Sequence, residues 1–120
     1  MIYNDDCLNI MKDLPSSFID MVYIDPPFYT QKIQSLSDSN GRTYKFSDIW
    51  DSLDEYLDYM RLRLIETKRL LKLSGCIFLQ CDTNASHYLR FMLDEIFGSN
   101  KFRSEIIWAY KRWSNSHKGL

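Results

Sequence analysis

Apolar residues along this chain fall into two rhythms, short unbroken runs and longer stretches spaced at three and four residues. Met21-Val22-Tyr23-Ile24 and Cys76-Ile77-Phe78-Leu79-Gln80-Cys81 are runs of the kind expected from strands buried on both faces of a parallel sheet. Ile2 and Tyr3 predict a short strand at the start, and residues 105–110, β-branched and aromatic, predict a further one near the end. Helical spacing appears over Leu53, Leu57, Met60, Leu64 and Leu71, behind a Ser52-x-x-Glu55 capping box. Lys68, Arg69 and Lys72 suit the negative end of that helix dipole, and Gly75 reads as its stop. A second helix is expected from Thr83 or Asn84, with Tyr88, Leu89, Met92 and Ile96 on one face and Gly98 at its end. Near the N-terminus, Asp5 and Asp6 predict the cap of a short helix from Cys7 to about Lys12, with Leu8 and Met11 inward. Residues 30–50 open with a polar, Ser-rich stretch without periodicity and are expected to form a loop, of the sort that is often functional.

Strands alternating with helices at these lengths imply βαβ units, so the expected fold class is α/β, a parallel sheet with flanking helices. The 120 residues suffice for one domain, and a hydrophobic share of 45% is that of an ordinary globular chain. No stretch approaches the roughly 20 apolar residues of a membrane span, and Asp5 and Asp6 interrupt any signal-peptide pattern, so the expected location is the cytoplasm. Cys7, Cys76 and Cys81 lack metal-ligand spacing and read as structural thiols, with no metal site expected. Charge is uneven. Residues 1–100 hold 10 Lys and Arg against 15 Asp and Glu, whereas residues 101–120 hold five basic residues against Glu105 alone. A basic end of this kind, with Lys111 and Arg112 followed by Trp113, suits phosphate contact as well as it suits a solvated terminus.

The sharpest local feature is Asp25-Pro26-Pro27-Phe28, directly after an apolar strand. In open α/β sheets, ligands bind beyond the carboxyl ends of the strands. Neither proline donates an N–H, so the ladder stops there, and Pro26 biases Asp25 away from helical geometry. The expected result is a stiff turn presenting a carboxylate, carbonyl oxygens and an aromatic ring. These groups match a planar aromatic amine: the oxygens accept its two N–H groups, and the ring stacks on its face. With both hydrogens accepted, the nitrogen lone pair points out of the ring plane, towards an electrophilic methyl group. The same four residues also fit a purely structural turn with Phe28 in the core.

Asp25-Pro26-Pro27-Phe28 resembles the catalytic motif of the amino-methylating DNA methyltransferases (adenine N6 and cytosine N4), in members whose catalytic motif precedes the cofactor motif. Asn4-Asp5-Asp6-Cys7-Leu8 upstream, Leu14-Pro15 and Ile19-Asp20-Met21-Val22 before the turn, and Leu70-Leu71-Lys72, Ser74-Gly75 and Ile77-Phe78-Leu79 after it resemble the same family. Residues 100–108 follow its pattern as well. The resemblance implies a partial, Rossmann-like methyltransferase sheet, S-adenosylmethionine as cofactor and DNA as partner. By position it implies that Asp25, Pro26, Pro27 and Phe28 hold a flipped base. Asp6, Cys7 and Asp25 would then lie by the cofactor, and an Asp opening the motif favours adenine over cytosine. Gln80, Asp82 and Trp50 sit where they would face the site or simply pack.

This chain departs from the family in one respect: its glycines, Gly41, Gly75, Gly98 and Gly119, form no G-x-G, so the F-x-G-x-G cofactor loop is absent from these residues. No separate target-recognition region is evident either. The expectation is therefore a catalytic portion over residues 1–120 that is inactive alone and works with a second polypeptide or a further half carrying the loop. An apolar edge on the strand before Asp25 is expected on the same ground. Two other readings remain: a methyltransferase acting on RNA or a protein amide, and a non-catalytic nucleic-acid-binding or interaction module.

Overall fold

The protein is described by a computed structural model over residues 1–109. Its sheet is built from Ile19–Ile24 (β1) and Leu71–Leu79, which pair in parallel. A parallel pair requires a crossover, and the chain between the two strands supplies a hairpin and a long helix. The hairpin consists of Lys32–Ser37 (β2) and Thr43–Asp48 (β3), antiparallel and separate from the β1 sheet. The helix is Leu53–Leu70 (α2), and Leu71–Leu79 is β4. Two shorter helices complete the fold, Cys7–Asp13 (α1) before β1 and Ser86–Phe97 (α3) after β4.

Local chemistry accounts for the helix ends. The Asp6 carboxylate caps α1 by accepting from the Leu8 N–H at 2.8 Å, while Asp5 accepts from the Asp6 N–H. Ser52 caps α2 through the Glu55 N–H at 3.1 Å, and the Glu55 carboxylate reaches back to the Asp51 N–H at 2.8 Å, a capping box displaced by one residue. Gly98 ends α3 at φ 100°, a left-handed backbone that suits glycine.

The core lies between α2 and α3. Tyr56, Met60 and Leu64 of α2 meet Leu89 and Met92 of α3, with Ala85 beside them, and all six are buried. Ile24, Ile77 and Leu79 pack against this cluster from one face of the sheet. Met21, Tyr23 and Phe78 point the other way and are exposed. The expectation that the apolar runs are buried on both faces is thus corrected. Successive strand residues alternate sides, and helices cover one side among the described residues. Tyr88, expected on the buried face of α3, is exposed.

Other expectations are corrected as well. Ile2 and Tyr3 form no strand, nor do residues 105–109; neither stretch has a ladder partner among the described residues, and their large side chains are exposed. Tyr110 lies outside the described residues. Residues 30–50 are largely the β2–β3 hairpin. Asn40-Gly41, a strong hairpin-turn signal, sits at its tip, where Gly41 has φ 78° and the Asp38 carboxylate accepts from the Asn40 and Arg42 N–H groups. Gly75 does not stop α2. The helix ends at Leu70, and Gly75 lies inside β4, where the register with β1 shifts between Ile19 and Met21.

That irregularity makes the glycine necessary. A Cβ at position 75 would stand 2.9 Å from Leu71 Cδ2, 3.0 Å from the Lys72 carbonyl oxygen and 3.1 Å from that of Ile19. Gly75→Ala is expected to destabilise the protein by about 1–3 kcal/mol through this overpacking. Urea denaturation monitored by circular dichroism measures it, and an unchanged midpoint would refute the close approach.

Candidate functional site

The Gln80 N–H donates to the Ile24 carbonyl at 2.9 Å, tying the end of β1 to the residue after β4, and the prolines carry the chain off the sheet. What shapes the next residues is a side chain from the hairpin. Asp48, the last residue of β3, is 1% exposed. Its carboxylate accepts from the backbone N–H groups of Phe28 at 3.3 Å, Tyr29 at 3.2 Å and Thr30 at 2.8 Å, from the Thr30 hydroxyl at 2.6 Å and from the Trp50 indole N–H at 3.0 Å. Three successive N–H groups converge on one anion; Tyr29, in the middle of the three, adopts left-handed backbone at φ 59°, and Gln31 follows at 56°. Burial by itself pushes the Asp48 carboxyl up. The Thr30 hydroxyl and N–H, the Trp50 indole and the Phe28 N–H outweigh it and hold the group below its ordinary value.

A second tie comes from the core. The Tyr56 hydroxyl donates to the Pro27 carbonyl at 3.0 Å, and its ring lies 5.3 Å from Tyr29 and 5.2 Å from Trp50. Burial, followed by the negative charge of Asp48, raises the Tyr56 hydroxyl far above its usual value, so it remains a donor. Trp50 therefore packs against the core while its indole N–H secures Asp48, as the packing reading of that residue had it.

The fixed turn borders two cavities. The first, of about 750 Å3, has Asp25, Pro26, Phe28 and Gln80 on one side and the hairpin residues Gln34, Leu36, Tyr44 and Phe46 on the other. The second, of about 340 Å3, is also lined by Asp25, Pro26 and Pro27, together with Cys7, Met11, Tyr59 and Arg63. Cys7 and Asp25, far apart in sequence, thus share a cavity. Asp6 does not line it. Its carboxylate caps α1 and accepts from Arg63 Nη2 at 2.7 and 2.9 Å. The Leu8 N–H holds the Asp6 carboxyl low, with Arg63 adding to the effect against some desolvation. Arg63 also lies over the Tyr59 ring at 3.4 Å, and its Nε is buried without a partner among the described residues.

Gln80 accepts from the Tyr23 hydroxyl and faces the first cavity, whereas Asp82 turns back to hold Asn84. Lys111, Arg112 and Trp113 lie outside the described residues. Among the described residues no group of three His, Cys, Asp or Glu is placed to hold a metal ion, and no helix is long and apolar enough to cross a membrane. Asp48, Tyr56, Tyr44 and Phe46 escaped the sequence reading. The alternation Tyr44-x-Phe46-x-Asp48 after Asn40-Gly41 was the available signal.

A family model described as DNA methylase matches residues 19–120. The chain belongs to this DNA methylase family. Among its curated relatives is the StyLTI Mod subunit, a type III restriction-modification enzyme of Salmonella typhimurium, 29% identical over 89% of this chain and 20% of that protein. The type II methyltransferase M.HinfI of Haemophilus influenzae is 33% identical over 64% of the chain and 23% of its own length. M.EcaI of Enterobacter cloacae, also a type II methyltransferase, is 37% identical over 68% of the chain and 17% of its length. The chain spans about a fifth of the length of these relatives.

In this chain, Asp48→Ala strips acceptors from five donors and is expected to lower stability by about 3 kcal/mol, with accelerated hydrogen exchange at Thr30. Wild-type protection at Thr30 in the variant would refute the anchor. Because the folded carboxyl titrates below its unfolded value, its contribution is complete above about pH 4 and is lost as pH falls through the depressed folded value. The stability gap between wild type and Asp48→Asn should therefore shrink in acid, as pH-dependent thermal melts of both will show.

Proposed function

We propose that this chain is the base-binding portion of a DNA amino-methyltransferase that modifies adenine N6. The observation that carries the reading is that one turn, Asp25-Pro26-Pro27, borders two cavities; on this reading the larger takes an extruded base and the smaller a methyl donor. A transferase needs two ligands held against a common wall. On this reading the β1–β4 pair with its helices is part of a Rossmann-like methyltransferase sheet, and the protein works within a restriction-modification system, as the names of its relatives suggest for them.

The Asp25 carboxylate accepts one N–H of the exocyclic amino group. The Pro26 carbonyl, which has no hydrogen-bond partner among the described residues, accepts the other. Together they direct the nitrogen lone pair out of the base plane while Phe28 stacks on the ring. Asp25 then takes the proton that the amino nitrogen gives up. S-adenosylmethionine, when bound, supplies the activated methyl group. Cys7, Asp25 and the unpaired Arg63 Nε offer polar atoms around the second cavity for such a group. Asp6, which Arg63 orients and which stays about half exposed, serves its adenine amino group from the rim. Lys111 and Arg112 contact DNA phosphates in this reading, on the strength of their charge.

The test is transfer of tritiated methyl from S-adenosylmethionine to duplex DNA, with a polypeptide carrying an F-x-G-x-G segment supplied in trans. Asp25→Ala should lower transfer at least about hundredfold with DNA binding retained, in line with the loss of one preorganised transition-state contact. Digestion of the product should yield N6-methyladenine. N4-methylcytosine would sink the adenine assignment, and undiminished transfer by the Asp25 variant would sink the catalytic one.

A further inference from the structure

The hairpin places an aromatic face opposite the base-binding turn. In the β2–β3 register Gln34 opposes Phe46 and Leu36 opposes Tyr44, and alternation puts all four on one side, the side that Asp48 also occupies. Leu36, Tyr44 and Phe46 line the larger cavity yet are 72%, 56% and 59% exposed. A contiguous apolar surface left open in this way marks a binding face. Its distance from Asp25 is set, because Asp48 at the end of β3 is bonded to Phe28, Tyr29 and Thr30.

Charge identifies the occupant. The hairpin carries Lys32, Arg42 and Lys45 against Asp38 and Asp48, whose carboxylates are turned inward to the tip of the turn and to the Phe28–Thr30 segment, whereas residues 1–100 as a whole are acidic. None of the three basic residues is in an ion pair among the described residues. Aromatic rings interleaved with unpaired cations are the usual surface for nucleic acid, where bases stack and phosphates pair.

We propose that the β2–β3 hairpin is a DNA-engaging second wall of the base pocket, with Tyr44 and Phe46 covering the base face opposite Phe28 and Lys32, Arg42 and Lys45 meeting the flanking phosphates. This rests on the base-binding reading of the Asp25 turn and deepens it. The hairpin then stabilises the extruded nucleotide regardless of the recognition sequence.

The experiment compares affinity of the full chain for a DNA duplex with one bulged adenine and for the same duplex fully paired, by fluorescence anisotropy. The wild type prefers the bulged duplex. Tyr44→Ala/Phe46→Ala loses that preference by on the order of tenfold, with the paired duplex bound as before. Replacing Lys32, Arg42 and Lys45 with Ala weakens both duplexes alike and flattens the salt dependence. The preference surviving in the double aromatic variant, with wild-type circular dichroism, overturns the wall. An unchanged salt slope in the triple variant overturns the phosphate contacts. If the double variant does not fold, photocrosslinking of a bulged 5-iodouracil to the wild type decides. An adduct at Tyr44 or Phe46 supports the proposal, and an adduct confined to other residues overturns it. Loss of the preference in Phe28→Ala but not in the hairpin variant leaves the base-binding reading standing without the wall. A wild type with no preference removes both.

Discussion

Three backbone N–H groups in succession, a hydroxyl and an indole N–H all point at the Asp48 carboxylate, which has almost no contact with water. A buried anion is tolerated when its lone pairs are satisfied, and hydrogen bonds to a charged acceptor are worth more than neutral ones. The left-handed residues Tyr29 and Gln31 are backbone geometries that cost free energy unless the surroundings impose them. Asp48 imposes them. The Gln31 side chain adds a second tie, donating to the Trp50 carbonyl at 2.9 Å and accepting from the Trp50 N–H at 2.8 Å.

The consequences reach both neighbours of the turn. On one side, the Tyr56 hydroxyl fixes the Pro27 carbonyl from within the α2–α3 core, so the site inherits the rigidity of the best-packed part of the molecule. On the other, the hairpin becomes a wall of the larger cavity rather than a free flap. The prolines complete the arrangement by removing the donors and the rotations that would let the turn continue the sheet. On the base-binding reading proposed above, this backbone sets where the Asp25 carboxylate and the Phe28 ring would meet an amino group.

The sheet itself is asymmetric. Helices cover the face bearing Ile24, Ile77 and Leu79, while Met21, Tyr23 and Phe78 remain open, and β1 has β4 as its one ladder partner among the described residues. The chain spans about a fifth of the length of these relatives. Within this portion, Arg63 plays for α1 the part that Asp48 plays for the turn. It pins Asp6 across the gap between helices and stacks on Tyr59.

Local chemistry by itself determined much of this protein. Ser52, Asp6 and Gly98 mark helix ends because capping is decided within a few residues, and Asp25-Pro26-Pro27-Phe28 announces a stiff turn because proline geometry is intrinsic. The motif was also sufficient to point to the DNA methylase family. Tertiary structure decided the rest. Whether residues 105–109 or Ile2 and Tyr3 become strands depends on a ladder partner, which no propensity supplies. Asp48 looked like one polar residue in a polar stretch, since its role arises from donors about 20 residues away that only folding brings to it. Tyr56 and Asp6 are likewise defined by Pro27 and Arg63, 29 and 57 residues distant in the chain. A sequence records what each residue can bond to, but the identity of a long-range partner is set by packing.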